Sequence, residues 1–528
     1  MLDANHLPDG QRLTTGLCIV GAGAAGIALA LELAGTGIEV LLVEAGGGER
    51  PGAGAPVAAA GPDSGPDSST GPSGWHAFGG HCGRRPARCR MLPEHELAAR
   101  PYLPDSGWPL ATDDLAAPYE RARALCQPQP PPPPAAAPGV PLIDGVCGDD
   151  FDCREQDRHA AAEDFGSRHG ARLAAAGNLT VMVHATAIAL RLNPAGNAVT
   201  GVDLRTGIGH RLQVQARTVV LAAGALETTR LLLASRDRQP AGIGNARGNV
   251  GRYLLAALRG TIGTVHLEQP LQQPAWQGPP NRRVSRRPLQ LTAAAQQRHQ
   301  LPAFALRLRP LPADDLLGRL WSRLRPERPG RTVLRIDWQC EQVPTAAGRI
   351  VVAGAAPDPA APLPVQVEWQ PGAADFNAVR RALDLFDETL RRSGAGRFDH
   401  DPGALAAALM PAGPPIEHLL GGARMGRDPR QSVTDEQGRV HGIDNLYITG
   451  CAVFPTSGLD NPLLTVVALG LRLADHLKAC EQRPPTAVVS LRPHLAARHG
   501  GAQAAAAAPL SGGRPLLEPA APEPGDAD

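Results

Sequence analysis

Gly21-Ala-Gly-Ala-Ala-Gly26 limits what this chain can fold into more than any other stretch. It follows a short apolar strand pattern, Leu17 to Val20, and opens into a helical pattern, Ile27 to Ala34. A second apolar strand pattern, Ile38 to Val43, ends at Glu44. Strand, glycine turn, helix and strand make one βαβ unit. In such a turn the first glycine allows the tight reversal. The second lets the backbone approach a pyrophosphate, and the third lets helix and strand pack closely. The helix N-terminus then offers unpaired N–H groups to the phosphates. Glu44 stands where it can accept hydrogen bonds from a ribose diol, and its carboxylate would repel a 2′-phosphate. A dinucleotide site is therefore expected and NADP disfavoured, while the motif by itself leaves FAD and NAD open.

The 528 residues are 43% hydrophobic, enough for a large core and two domains. A net charge of +1 gives no global attraction to nucleic acid or membrane. Aromatic residues make up only 3%, which argues against an aromatic-lined sugar platform. The nine cysteines (18, 82, 89, 126, 147, 153, 340, 451 and 480) include no CxxC pair. Neither a metal site nor a disulfide scaffold is indicated, and a reduced cytoplasmic protein is the expectation. Met1 to Thr15 lacks the apolar stretch of a signal peptide. No run of eighteen apolar residues exists to span a membrane.

Gly46 to Gly74 is rich in Gly, Pro, Ser and Ala and reads as loop, and Pro128 to Pro138 reads as an extended connector. A β-rich stretch runs from Leu179 to Leu212. Thr218 to Ala222 is a strongly apolar strand that passes through Ala223-Gly224 into a helix, Leu226 to Ser235. Strand alternation recurs at Val333 to Trp338 and Val365 to Trp369, with a helix expected over Asp375 to Ser393. Most of residues 499–528 read as disordered tail.

Several segments, in order, resemble the glucose-methanol-choline (GMC) oxidoreductases, which are FAD-dependent alcohol oxidases and dehydrogenases. They are Ser106-Gly-Trp-Pro-Leu110 with Leu115 and Pro118-Tyr119; Thr218 to Ser235; Asn249-Val-Gly-Arg-Tyr253; and Glu341-Gln342-Val-Pro344 with Arg349. The strongest match is His418-Leu-Leu-Gly-Gly-Ala-Arg-Met-Gly426, then Asn445 to Thr456, then Asn461-Pro462-Leu-Leu-Thr465. The resemblance implies an α/β fold: a Rossmann-like FAD-binding domain with a second α+β substrate domain on an antiparallel sheet. It implies an FAD-binding first part over residues 1–250, including the loop 46–140, and a substrate domain over 251–410. A return to the FAD-binding domain follows over 411–482, then a tail over 483–528.

The resemblance also assigns positions. Gly21, Gly23, Gly26 and Glu44 match ADP-binding residues. Gly79 and Gly80 match the glycine pair beside the flavin, and Ala187 the position whose backbone meets the adenine. Ala222 and Gly224 fall near the adenosine, Gly450 and Cys451 on the turn over the pyrophosphate. Asn461 and Pro462 match the turn at the pyrimidine edge of the isoalloxazine. His418 matches the active-site histidine and Asn461 its partner.

Oxidising an alcohol removes a hydroxyl proton and a carbinol hydride. A neutral imidazole, with an ordinary pKa near 6.5, can accept the proton. Asn461 can orient the hydroxyl with either end of its amide so that the C–H bond points at flavin N5. The expected activity is FAD-dependent oxidation of a small-molecule alcohol, with the electron acceptor undefined. His441 reads as a structural turn residue, Glu417 as an exposed carboxylate beside His418, and His76, His81 and Cys82 as surface-loop residues.

Two departures from the family pattern stand out. Where relatives carry a Thr-Ser-Asn-His-Trp-Gly-Gly-like run after the glycine pair, this chain reads His81-Cys-Gly-Arg-Arg-Pro-Ala87. The position that carries a covalent flavin link in some members is Arg84, so non-covalent FAD is expected. After Tyr253, Ala256-Ala257-Leu258 replaces an acidic-His-Pro run. These departures motivate the competing reading, a catalytically decayed flavin-binding or flavin-free scaffold. An NAD-dependent dehydrogenase would use only the first motif. Thirteen arginines between Arg282 and Arg335 face only Asp314, Asp315 and Glu327. Leu316 to Leu324 reads as an amphipathic lid helix, the alternative being contact with a membrane surface or an acidic partner.

Overall fold

The computed structural model describes residues 1–47, 77–80, 90–126, 141–152, 165–269, 271, 276–277, 284–285, 287–310, 332–352, 354, 361–409, 419–459 and 461–481. All belong to one unit, Met1–Val488. The Pro128 to Pro138 connector, the Leu316 to Leu324 helix, the tail and most of the Gly46 to Gly74 loop lie outside them.

Strands are counted along the chain. The first eight are β1 (Leu2–Asp3), β2 (Arg12–Val20), β3 (Val40–Val43), β4 (Phe151–Asp152), β5 (Leu179–Val183), β6 (Ala185–Leu192), β7 (Val199–Thr206) and β8 (Arg211–Leu221). The substrate-side strands are β9 (Leu258–Leu267), β10 (Trp276–Gln277), β11 (Val284–Ser285), β12 (Leu289–Leu291), β13 (Phe304–Pro310) and β14 (Thr332–Cys340). Last come β15 (Arg349–Val352), β16 (Val365–Glu368), β17 (Gly396–Asp399) and β18 (Leu446–Ile448). The helices are α1 (Ala24–Glu32), α2 (Glu94–Leu97), α3 (Thr112–Cys126), α4 (Phe165–Ala175), α5 (Gly224–Ala234), α6 (Ala293–His299), α7 (Ala373–Arg392), α8 (Pro402–Leu409) and α9 (Leu463–Glu481).

The first sheet runs β1-β5-β3-β2-β8-β7-β6, and β18 also pairs with β8. Its β1 to β8 portion is parallel, and β8-β7-β6 is an antiparallel meander. β8 is long enough to serve both parts. Its first half pairs with β7, and its last residues, Val219 to Leu221, pair with the returning β18. β2 and β3 are buried, as the apolar runs Leu17 to Val20 and Val40 to Val43 require of strands covered on both faces. Three parallel strands stop at one edge. The Gly21 N–H donates to Val43 O (2.8 Å), Ala222 N–H to Val20 O (2.8 Å), and Thr449 N–H to Leu221 O (3.0 Å). Their turns therefore leave the sheet side by side, which is where ligands settle in open α/β sheets.

β2 starts five residues earlier than its apolar pattern, because Arg12 to Thr15 pair with Gln213 to Ala216 of β8 despite their polarity. α1 starts at Ala24, inside the glycine motif, because Gly23 is its N-terminal cap. α9 crosses α1 closely: a Cβ on Gly470 would stand 2.9 Å from Ala25 O.

The second sheet, β17-β9-β14-β13-β12-β4, is antiparallel throughout. β14 alternates, with Leu334, Ile336, Trp338 and Cys340 buried and the residues between them half-buried. α7 lays its apolar stripe on this sheet through Val379, Ala382, Leu383, Phe386 and Leu390, the spacing of one helical face. This is the expected pairing of a Rossmann-like domain with an α+β domain on an antiparallel sheet.

Cysteine usage corrects the expectation of a reduced chain without disulfides. Five described cysteines are free, but Cys147 is disulfide-bonded. Spacing in the sequence does not reveal which cysteines meet in space. Among the described residues no helix is long and apolar enough to cross a membrane.

Candidate dinucleotide and active site

Four chain segments meet where the parallel strands end. Gly21 turns with φ +105°, and a Cβ there would lie 2.7 Å from Ala222 O. A Cβ on Gly26 would lie 2.0 Å from Gly21 O, so helix and turn touch backbone to backbone. Gly23 differs: a Cβ there would meet nothing within 4 Å among the described residues. Gly79 donates its N–H to Ala22 O (2.8 Å), and a Cβ on Gly80 would reach within 3.1 Å of Gly23 Cα. Gly450, with φ +93° and ψ −156°, occupies backbone space that only glycine uses freely, and a Cβ there would stand 3.2 Å from Ala25 Cβ. Gly224 begins α5 opposite the Cys451 sulfur, 4.0 Å from where its Cβ would be. Burial pushes the Cys451 thiol up to about 11, so it is neutral at ordinary pH and no nucleophile.

Glu44 is buried at the end of β3. Its Oε2 accepts from Ala22 N–H (2.9 Å) and its Oε1 from Gly46 N–H (2.9 Å). A carboxylate oxygen accepts more than one hydrogen bond, so the group is fixed in direction yet still able to receive a diol. Ala187 is buried in β6, and its carbonyl already accepts from Arg230 Nη2 (2.9 Å). Arg230 also binds Glu227 Oε2 through Nε (2.8 Å), while its Nη1 is buried without a partner among the described residues. The open space at Gly23, the helix starts at Ala24 and Gly224, and the fixed Glu44 carboxylate suit an elongated ligand carrying phosphates and a diol.

His418, Glu417, His76 and the loop His81 to Ala87, with its Arg84 and Arg85, lie outside the described residues. The segment that begins one residue after His418 is described and tightly held. Leu420 exchanges both backbone hydrogen bonds with Leu255 (2.9 Å each). Gly421, Ala423 and Met425 donate to Cys451 O, Ala452 O and Val453 O at 2.9, 3.0 and 2.9 Å. The segment Leu419 to Met425, which follows His418 in the chain, is thus fastened to the turn that carries Gly450 and Cys451.

Asn461 caps α9. Its Oδ1 accepts from Leu463 N–H (3.0 Å), the first residue of the helix, and Pro462 O accepts from Val466 N–H (2.8 Å), the first helical hydrogen bond. The oxygen end of the amide thus already holds one backbone hydrogen bond at the start of the helix. His441 bonds Ser432 Oγ through Nε2 (2.9 Å), the part of a structural turn residue.

The stretch before Asn461 is gripped from several sides. Trp108 Nε1 donates to Thr456 Oγ1 (2.9 Å), and Gln342 N–H donates to Ser457 Oγ (3.1 Å). Gly458 lies against Glu96, whose Oε2 would be 3.0 Å from a Cβ there, and Gln339 Nε2 donates to Leu459 O. The sequence contains these residues inside recognisable motifs but gives no sign of what they grip. Arg424 was missed altogether. Its guanidinium sits 4.3 Å over the Tyr253 ring and donates to Asp105 O (2.8 Å). Burial pulls its pKa below the ordinary arginine value. Tyr253 and Asp105 are both left-handed, at φ +55°. An arginine inside a glycine-rich apolar run was the available signal.

Comparison with known proteins follows this geometry. The sequence profile of GMC oxidoreductase matches twice, over residues 143–257 and 344–470. The chain is 30% identical over 297 residues to paromamine 6′-oxidase of Streptomyces fradiae, covering 54% of this chain and 50% of that protein. It is 25% identical over 301 residues to 2-methyl-1,2-propanediol dehydrogenase of Mycolicibacterium austroafricanum, covering 54% and 51%. The chain thus spans about half the length of the curated relatives it matches. Pyridoxine 4-oxidase from Mesorbium loti shares the fold, with a TM-score of 0.54 at 18% identity over 88% of this chain and 99% of that one. The two profile matches flank β9 to β14 along the chain, and the chain belongs to the GMC oxidoreductase family.

Proposed function

We propose that this protein is an FAD-dependent oxidoreductase that oxidises the CH–OH group of a small hydroxylated molecule. One observation carries the reading: the segment Leu419 to Met425, which follows His418 in the chain, is fastened to Cys451–Val453, the turn that meets α1 and α5 beside the Gly21 to Gly26 motif. This supports a reading in which the segment after His418 and the Gly21 to Gly26 motif serve one site. Family membership implies the flavin. When bound, FAD supplies the two-electron acceptor.

The chain's own residues divide the remaining work. Gly21, Gly23, Gly26, Gly79, Gly80, Ala222, Gly224, Gly450 and Cys451 hold the phosphates and the flavin's flank, Glu44 the ribose, and Ala187 the adenine. His418 takes the hydroxyl proton. Asn461 directs the hydroxyl through its amide nitrogen, and Pro462 sets the turn. The domains are 1–250, 251–410 and 411–482. With Arg84 in place of a linking histidine, FAD is held non-covalently. The names of the relatives, a paromamine oxidase and a propanediol dehydrogenase, point to a polyhydroxylated or branched alcohol.

The test is an absorption spectrum of purified protein before and after addition of alcohols, paromamine and 2-methyl-1,2-propanediol among them. A yellow protein that bleaches with one of them is expected. His418→Ala should keep the colour and lose the bleaching. Full bleaching in that variant removes His418 from the mechanism. A colourless protein that FAD does not stabilise to heat points instead to a decayed scaffold. Acid precipitation should release all the flavin into solution if attachment is non-covalent.

A further inference from the structure

His184 joins β5 to β6 and is left-handed, φ +57°, a conformation that crowds any residue with a Cβ. Its backbone is held there by the turn that follows β3. His184 N–H donates to Gly46 O (3.1 Å), and the next residue, Ala185, donates to Glu44 O (2.9 Å). The ring leans over the same turn. A Cβ on Gly47 would stand 2.4 Å from His184 Nε2, so the ring packs directly against this glycine. Nδ1 faces Asp3 Oδ1 at 2.9 Å. Asp3 is set by β1, which pairs in parallel with β5, and by Asn5 N–H, which donates to the same oxygen (2.9 Å). Burial pushes the Asp3 carboxyl up, yet the hydrogen bonds from His184 and Asn5 bring it below its ordinary value.

A left-handed residue with a side chain persists only where its surroundings impose it, and such residues gather at ligand sites. Here the imposing element is the Glu44 to Gly47 turn. The ring has a defined polarity. With Asp3 accepting from Nδ1–H, the neutral imidazole presents Nε2 as an acceptor. A ribose diol offers two hydroxyl donors. Glu44 supplies one acceptor on this turn, and His184 Nε2 is a second one on it.

We propose that His184 is a ligand-contacting residue of the adenosine half of the dinucleotide site, accepting from a ribose hydroxyl, and that Asp3 is its positioning residue. The N-terminal strand β1 is then part of the cofactor site. The inference rests on the reading that a dinucleotide occupies the Gly21 to Gly26 turn.

The experiment titrates flavin-depleted full-length protein with FAD, ADP and FMN by calorimetry, for wild type, His184→Ala, His184→Asn and Asp3→Asn. Asparagine tolerates the left-handed region, so His184→Asn keeps the backbone if alanine does not fold. Both His184 variants should bind FAD and ADP about tenfold more weakly, a change of about 1.4 kcal/mol, and FMN as wild type does. Asp3→Asn should lose about threefold for FAD and ADP alone. ADP and FAD affinities within twofold of wild type, with a lowered melting temperature of the cofactor-free variants, would overturn the proposal and leave His184–Asp3 as a structural tie. A wild-type protein that binds neither FAD nor ADP overturns the dinucleotide reading itself, and this proposal with it.

Discussion

Arg100, in the loop after α2, and Glu341, next after β14, form a two-pronged ion pair. Nη1 and Nη2 reach Oε2 and Oε1 at 2.7 Å each, with side-chain exposures of 4% and 0%. Glu341 Oε2 also accepts from Ala303 N–H (3.2 Å). Glu341 lies between Gln339 and Gln342, which grip the stretch before Asn461, so the pair anchors the strand end that sets that turn. Taking away one partner strands the other charge without water. Glu341→Ala or Arg100→Ala is expected to cost about 3–5 kcal/mol in urea unfolding. Arg100→Met with Glu341→Leu should recover most of it. A double variant as unstable as the single ones would show that packing, not charge, sets the loss.

Two glycines of one motif should behave oppositely. Gly26→Ala drives a Cβ into Gly21 O, at 2.0 Å in the present backbone, and should destabilise the protein by about 2 kcal/mol or more. Gly23→Ala meets no atom of the described residues within 4 Å. It should leave the melting temperature of flavin-free protein within a degree or so while weakening FAD binding at least tenfold. Unchanged FAD affinity in Gly23→Ala would mean that the open space there is not the cofactor's.

Asn461 has a measurable structural duty apart from its proposed substrate contact. Asn461→Ala removes the cap on Leu463 N–H and should cost about 1 kcal/mol of stability. Asn461→Ser keeps a capping oxygen and should cost only a few tenths of that, yet it has no amide nitrogen to offer. Steady-state kinetics with the bleaching alcohol should therefore show kcat/KM falling at least tenfold in both variants. Wild-type kinetics in Asn461→Ser would reduce Asn461 to a helix cap.

His95 ties stability to pH. Burial first, then the Arg100 and Arg90 guanidiniums, hold its imidazole below the ordinary 6.5, against a weaker opposing pull from Glu341. Gln296 Nε2 lies 3.4 Å from its Nε2. The folded state therefore binds fewer protons here than the unfolded chain does below about pH 6.5. This contribution is present at neutral pH and is lost as pH falls from 6.5 through the depressed value. Urea midpoints at pH 7.5 and 5.5 should converge more for His95→Gln than for wild type. Identical pH slopes in the two proteins would exclude His95 as a source.

Much of the fold was legible because its signals are local. The turn Gly21 to Gly26, the buried runs of β2 and β3 and the amphipathic stripe of α7 each state their surroundings within a dozen residues. The GMC segments then supplied the order of the two sheets. What stayed hidden was pairing over long separations. Nothing near Arg100 says that Glu341 will be its partner, nothing near Asp3 says that His184 will face it, and nothing around Cys147 says that it will be bridged. The amide oxygen of Asn461 shows the complementary limit: the residue was found, but its helix-capping bond depends on where α9 begins.

β8 accepts β2 and β7 early in the chain, but β18 reaches its last residues only after more than two hundred further positions. The ties around the turn before Asn461 are as distant: Trp108 to Thr456 spans 348 positions, Tyr119 to Thr465 spans 346. During synthesis the segment Val219 to Leu221 therefore carries an unpaired strand edge for as long as the substrate domain takes to emerge. Loop closure of this length is slow. The Gly21 to Gly26 turn can form on the ribosome, whereas the Cys451 to Leu459 segment waits for the last helix. Chaperone dependence and aggregation at the β8 edge should accordingly be properties of the nascent chain rather than of the finished protein.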